Sequence, residues 1–166
     1  MSTEMALARQ LGELLLDRGE RLTLAESCTA GRIAGAVTDI AGSSAWFGYG
    51  FVTYSNEAKQ QMLGVRAETL AEDGAVSERT VREMAAGALQ RSGADWAVAV
   101  SGIAGPAGGS AAKPVGTVWF ALAGCQGAAE AFACHFSGDR LEVRRQTVET
   151  ALTRLIQLID RQPLSA

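Results

Sequence analysis

Ala25-Glu26-Ser27-Cys28-Thr29-Ala30-Gly31-Arg32, entered from the strand-like Leu22-Thr23-Leu24, is the stretch that decides how this chain folds. Behind it Ile33, Ala34 and Val37 recur at helical spacing, so a hydroxyl, a thiol and a second hydroxyl stand in a row on a strand-to-helix turn. Backbone N–H groups point outward at such a turn, with the positive ends of the peptide dipoles behind them. The turn can present a nucleophile and hold the oxyanion it creates, or it can do no more than start a helix. The segment alone does not choose.

Working outward, Leu7, Leu11, Leu14 and Leu15 predict an amphipathic helix over 3–18, capped by Ser2 or Thr3 and ended by Gly19. Downstream, a helix from about 29 to 37 gives way to a turn-rich link over 39–44. Trp46 to Tyr54 has strand composition, with Gly48 and Gly50 marking a bulge or a close backbone approach. Ser55 predicts the cap of a short helix, Asn56 to Leu63, which Gly64 stops and whose first turns carry Lys59. Ser77 and Gly93 bracket a longer helix, and Trp96 to Val100 is an apolar run of strand length, expected to be buried on both faces. A glycine-rich loop follows over 101–110 and ends at Lys113-Pro114. Val115 to Ala123 and Ala128 to Phe136 read as a hairpin, and Asp139 with Glu142 has capping-box spacing at the start of a last helix reaching 161. Helices and strands alternating early, with a hairpin late, predict an α/β fold: a three-layer α/β/α sandwich on a mixed sheet, one domain over residues 1–166.

Composition narrows the function classes. A chain of 166 residues with 48% apolar and 20% charged side chains can bury a proper core. A net charge of −3 offers no basic face, so nucleic acid is not an expected partner. Cys28, Cys125 and Cys134 are odd in number and lack C-x-x-C spacing, which argues against a disulfide framework or a zinc site and suits a reducing cytoplasm. Met1 to Glu4 has no signal-peptide pattern, and no apolar run approaches membrane-spanning length, so no membrane partner is expected.

For chemistry, the single histidine, His135, falls in a predicted strand and Gly-x-Ser-x-Gly is absent, which removes the basis for a Ser-His-Asp triad. Arginine cannot give up its proton, so a base among the cationic residues is Lys59 or Lys113. Near a helix start and against an aromatic strand, Lys59 would lose its ammonium proton more readily and could activate Ser27, with Tyr54 relaying a proton or positioning the pair. An ordinary surface lysine is the equal alternative. The loop after Val100 is neither a P-loop nor Gly-x-Gly-x-x-Gly, yet its small residues would let a ligand approach backbone N–H groups; a plain crossover is the other reading. Arg140 and Arg144, four apart at a helix start, suggest a bound phosphate, or else Arg140 pairs with Glu142 or Glu149. Cys28 is a rival nucleophile if the turn acidifies it, and a small buried cysteine if not.

Ala-Glu-Ser-Cys-Thr at 25–29, Tyr54-Ser55-Asn56 with Lys59, Val76-Ser77, Ser101-Gly102-Ile103-Ala104-Gly105-Pro106, Lys113-Pro114-Val115-Gly116-Thr117-Val118, and Gly138-Asp139-Arg140 with Val143-Arg144 together resemble the CinA carboxy-terminal domain family over nearly the whole chain. The resemblance implies hydrolysis of the carboxamide of nicotinamide mononucleotide to the acid and ammonia, with Ser27 as nucleophile, Lys59 as base and Tyr54 in support. It also implies a three-layer α/β fold, no metal and no cofactor, and frequent assembly into homodimers or higher homo-oligomers. On that basis the small-molecule nucleotide would lie on Cys28, Thr29, Ser101, Gly102 and Gly105, with Arg140 and Arg144 at its phosphate. Two residues depart from the family pattern: Ala30 stands where glycine is usual, and Ala107 interrupts the usual Gly-Pro-Gly-Gly run. A non-catalytic nucleotide-binding module related to competence or damage response is the alternative function, and a cysteine amidase using Cys28 a third.

Overall fold

A computed structural model describes residues 1–164. The chain runs α1 (Thr3–Arg18), β1 (Leu22–Glu26), α2 (Arg32–Thr38), β2 (Phe47–Val52), α3 (Asn56–Leu63), α4 (Ala67–Asp73), α5 (Glu78–Ser92), β3 (Trp96–Gly102), β4 (Thr117–Gly124), β5 (Ala129–His135) and α6 (Arg140–Asp160). Four helices start where their caps predict: Ser2, Ser55, Ser77 and Asp139 each accept a backbone N–H three residues on. Gly19, Gly64 and Gly93 end three of them in the left-handed conformation that spares a side chain the clash with its own carbonyl. Among the described residues no helix is long and apolar enough to cross a membrane.

The sheet order is β2-β1-β3-β4-β5, with β1 parallel to β2 and β3 and the last two pairings antiparallel. Successive side chains of β3 face opposite layers. Trp96, Val98 and Val100 join Leu11, Leu15, Ile33, Val148 and Leu152 in the core beneath α1, α2 and α6. Ala97 and Ala99 join Ala25 and Ala121 in a small-residue floor against Val81, Met84, Ala85 and Ala88 of α5. That floor brings α5 close to the sheet, and Gly87 in turn brings α3 onto α5: a Cβ at Gly87 would sit 1.9 Å from the Leu63 carbonyl oxygen. The predicted three-layer sandwich is therefore the observed one.

Several elements differ from expectation, and β3 runs on to Gly102 where the loop is predicted to start at Ser101. α2 begins at Arg32 rather than near Thr29, because Ala30 (φ 46°) and Gly31 (φ 96°) wind the turn in the left-handed sense. α4 was not foreseen; Arg66 at its start provides no side-chain cap, and Glu83 from α5 accepts both the Arg66 N–H (2.9 Å) and the Thr69 hydroxyl (2.6 Å) instead. β2 is shorter than the aromatic run, and β4 starts at Thr117 after a turn in which the Thr117 N–H donates to the Pro114 carbonyl.

Candidate active site

The three parallel strands end on the same side of the molecule. Ser27 follows β1, Thr53 and Tyr54 follow β2, and Ser101 and Gly102 close β3. Because β2 and β3 lie on opposite sides of β1, the loops leaving these strands diverge and open a crevice, the usual ligand position in an open α/β sheet. The crevice here has a volume of about 280 Å3, and its lining includes Ser27, Cys28, Tyr54, Lys59, Val76, Ser101, Gly102, Gly105, Ala107 and Arg140.

Lys59 enters from the first turns of α3 and is 1% exposed. Its Nζ lies 2.8 Å from Ser27 Oγ, 2.9 Å from the Thr53 carbonyl oxygen and 3.2 Å from that of Tyr54. Burial pushes the lysine pKa down to about 8. Ser27 and Lys59, thirty-two positions apart, thus meet in the cleft.

The turn carrying Ser27 has a divided hydrogen-bond economy. Ser27 N–H donates to Val100 O (3.1 Å), Ala30 N–H to Ser27 O (3.1 Å) and Arg32 N–H to Thr29 O (3.0 Å), whereas among the described residues the Cys28 and Thr29 N–H groups meet no backbone acceptor. Thr29 is fully buried and outside the crevice lining, and its hydroxyl donates to Glu26 Oε1 at 2.5 Å, so its N–H alone is left for a ligand. Glu26 stands in the quoted turn motif but has no role in the sequence reading; the structure makes it the last residue of β1. Burial pushes the Cys28 thiol up to about 12, opposite to the acidification a nucleophilic cysteine needs. Ala30 is the one described non-glycine residue with positive φ. A glycine would relax this conformation, so Ala30→Gly is expected to raise stability by about 0.5–1 kcal/mol, read from denaturant midpoints.

Tyr54 and the arginines sit differently from the simplest expectation. Arg140 donates to the Gly105 carbonyl (2.8 Å) and to the Tyr54 hydroxyl (2.9 Å), so it is the Tyr54 backbone, not its phenol, that touches Lys59. Arg140 does not pair with Glu142 or Glu149; Arg145 takes both. Arg144 donates to the Thr29 carbonyl at 3.1 Å, and burial, with Arg32 and Arg140 nearby, lowers its pKa. Lys113 is spent on the Asp73 carbonyl (2.7 Å), and His135 faces the Val115 carbonyl outside the cleft. Among the described residues no cluster of His, Cys, Asp and Glu is arranged to hold a metal ion.

A parallel-stranded crevice with a buried lysine set on a serine hydroxyl makes this an α/β domain with a serine–lysine pair at the switch point of its sheet. The chain belongs to the CinA C-terminal domain family, whose model matches residues 4–159. It is 61% identical over 153 residues to the nicotinamide-nucleotide amidohydrolase PncC of Escherichia coli strain K12, covering 92% of this chain and 93% of that protein. Among solved structures it resembles the competence/damage inducible protein CihA from Agrobacterium tumefaciens (TM-score 0.93, 50% identity, 95% and 96% of the two chains). The competence damage-inducible protein A from Klebsiella pneumoniae is similar too (TM-score 0.93, 44% identity, 96% and 99%).

Proposed function

We propose that the protein is an amidohydrolase that converts nicotinamide mononucleotide to nicotinate mononucleotide and ammonia, with Ser27 as nucleophile and Lys59 as its base. The observation that carries the mechanism is the 2.8 Å approach of the buried Lys59 Nζ to Ser27 Oγ; the names of the relatives support the substrate. A neutral amine has two N–H bonds and one lone pair. With the N–H bonds directed to the Thr53 and Tyr54 carbonyls, the lone pair faces the Ser27 hydroxyl.

Ser27 Oγ attacks the carboxamide carbon as its proton passes to Lys59 Nζ. The oxyanion forms against the N–H groups of Cys28 and Thr29, each well-aimed donor contributing about 3 kcal/mol. The tetrahedral intermediate collapses as the Lys59 ammonium returns the proton to the departing nitrogen, which leaves as ammonia. Water then attacks the acyl ester, Lys59 takes its proton, and the acid departs as Ser27 regains its hydrogen. Arg140, with Arg144 beside it, would hold the phosphate; no described acidic side chain forms a salt bridge with either. Assembly into a homodimer or higher homo-oligomer in a reducing cytoplasm belongs to the same reading, supported by the exposed Tyr49 and Val52 on edge strand β2 and by three free thiols.

A coupled ammonia assay on nicotinamide mononucleotide, its phosphate-free riboside and nicotinamide tests the reading. Release is expected to be fastest from the mononucleotide; binding of that nucleotide with no ammonia would instead identify an accessory binding module. Tyr54→Phe is expected to raise KM severalfold and keep kcat within about threefold, because the lost hydroxyl serves Arg140 rather than the dyad. A hundredfold fall in kcat would restore the phenol as a proton relay.

A further inference from the structure

Glu26 closes β1 with its side chain 1% exposed, directly before the nucleophile of the mechanism above. Its carboxylate accepts three hydrogen bonds: from Thr29 Oγ1 (2.5 Å), from Ile33 N–H (2.9 Å) and from Ala34 N–H (3.0 Å). The last two are first-turn donors of α2, a helix whose own cap residue, Gly31, has no side chain to offer. One carboxylate therefore joins the end of a strand, the turn and the helix that follows, on either side of Ser27–Gly31.

We propose that Glu26 is the positioning residue of this site: it fixes the turn so that the Cys28 and Thr29 N–H groups stay unspent and converge where the oxyanion forms. Three features favour this role. Two of the donors Glu26 engages, the Ile33 and Ala34 N–H groups, would bond the Thr29 and Ala30 carbonyls if α2 began one turn earlier. Regular winding would in turn place the Cys28 and Thr29 N–H groups along the helix axis instead of beside Ser27. An ionised carboxylate accepts all three bonds, whereas an amide of the same shape turns two N–H bonds toward donors. Glu26 touches no reacting atom, and its effect is confined to the geometry of the turn.

The inference rests on Ser27 as nucleophile, and the test separates the two. The probe is the aldehyde analogue of the mononucleotide, in which the carboxamide is replaced by a formyl group that adds the Ser27 hydroxyl to give a hemiacetal. Its oxyanion or hydroxyl would occupy the same donors as the tetrahedral intermediate. Binding by the unaltered protein that Ser27→Ala loses establishes the nucleophile; equal binding by both would overturn the foundation. Glu26→Gln is then expected to lower kcat by roughly 10- to 100-fold and to weaken aldehyde binding by the same factor, while KM for the amide and the affinity for the acid product stay within about twofold. Thr29→Val, which removes one donor and keeps the shape, is expected to show the same pattern on a smaller scale and serves if Glu26→Gln does not fold. Unchanged kcat in both variants, or equal losses for aldehyde, substrate and product, would reduce Glu26 to a structural cap and overturn the proposal.

Discussion

Ammonia release by a Ser27→Ala protein is expected to fall by roughly 10⁴- to 10⁶-fold, the range that follows removal of a nucleophile acting as a unit with its base. The substitution takes away one oxygen, 2.8 Å from Lys59 Nζ, and leaves a buried residue of nearly the same volume. The fold should persist, which near-native circular dichroism would verify. Residual turnover would come from water attacking an amide still held against the Cys28 and Thr29 N–H groups. A folded alanine variant working at the parent rate would reject Ser27 and, with it, the acyl intermediate.

Lys59→Met is expected to lower the rate by roughly 10²- to 10⁴-fold, the usual contribution of a positioned general base. The same replacement should make the protein more stable. The lysine is 1% exposed with a pKa near 8, below that of a free lysine, so between those values the unfolded chain binds the proton that the native chain gives up. Stability therefore rises with pH through that window, and below it the buried ammonium is a standing penalty. Methionine fills similar space without a charge, and each kcal/mol relieved corresponds to roughly 2–4 °C in Tm for a chain of this size. The parent rate should climb about tenfold per pH unit below 8 and level off above it, as free amine replaces ammonium. A variant both inactive and markedly less stable would show that Lys59 is a structural polar link instead.

What was legible in the chain depended on how far each cause lay from its effect. Ser55, Ser77 and Asp139 cap helices through bonds three residues long, so α3, α5 and α6 could be placed by reading forward. Both helix starts that were misjudged depend on acids elsewhere: Glu83 serves α4 from seventeen residues beyond Arg66, and Glu26 serves α2 from the preceding strand. The site divided in the same manner. Ser27 and Lys59 were visible as residue types suited to their chemistry, but their meeting depends on α3 lying against α5 and on where β2 ends. The arginines show a finer limit, since spacing alone could not tell that Arg145 would take both glutamates and leave Arg140 for Tyr54 and the loop.

The close seat of α3 on α5, where Gly87 lies beneath the Leu63 carbonyl, has a consequence for redesign. The amine is aligned there by one backbone resting on another, with no side chain as spacer. Volume-conserving changes at buried apolar neighbours such as Val81 and Met84 are therefore expected to leave the pair in register. A single added methyl at position 87 has no such latitude. Transplanting this chemistry into another scaffold would mean copying the distance between two helices before copying any residue that lines the cleft.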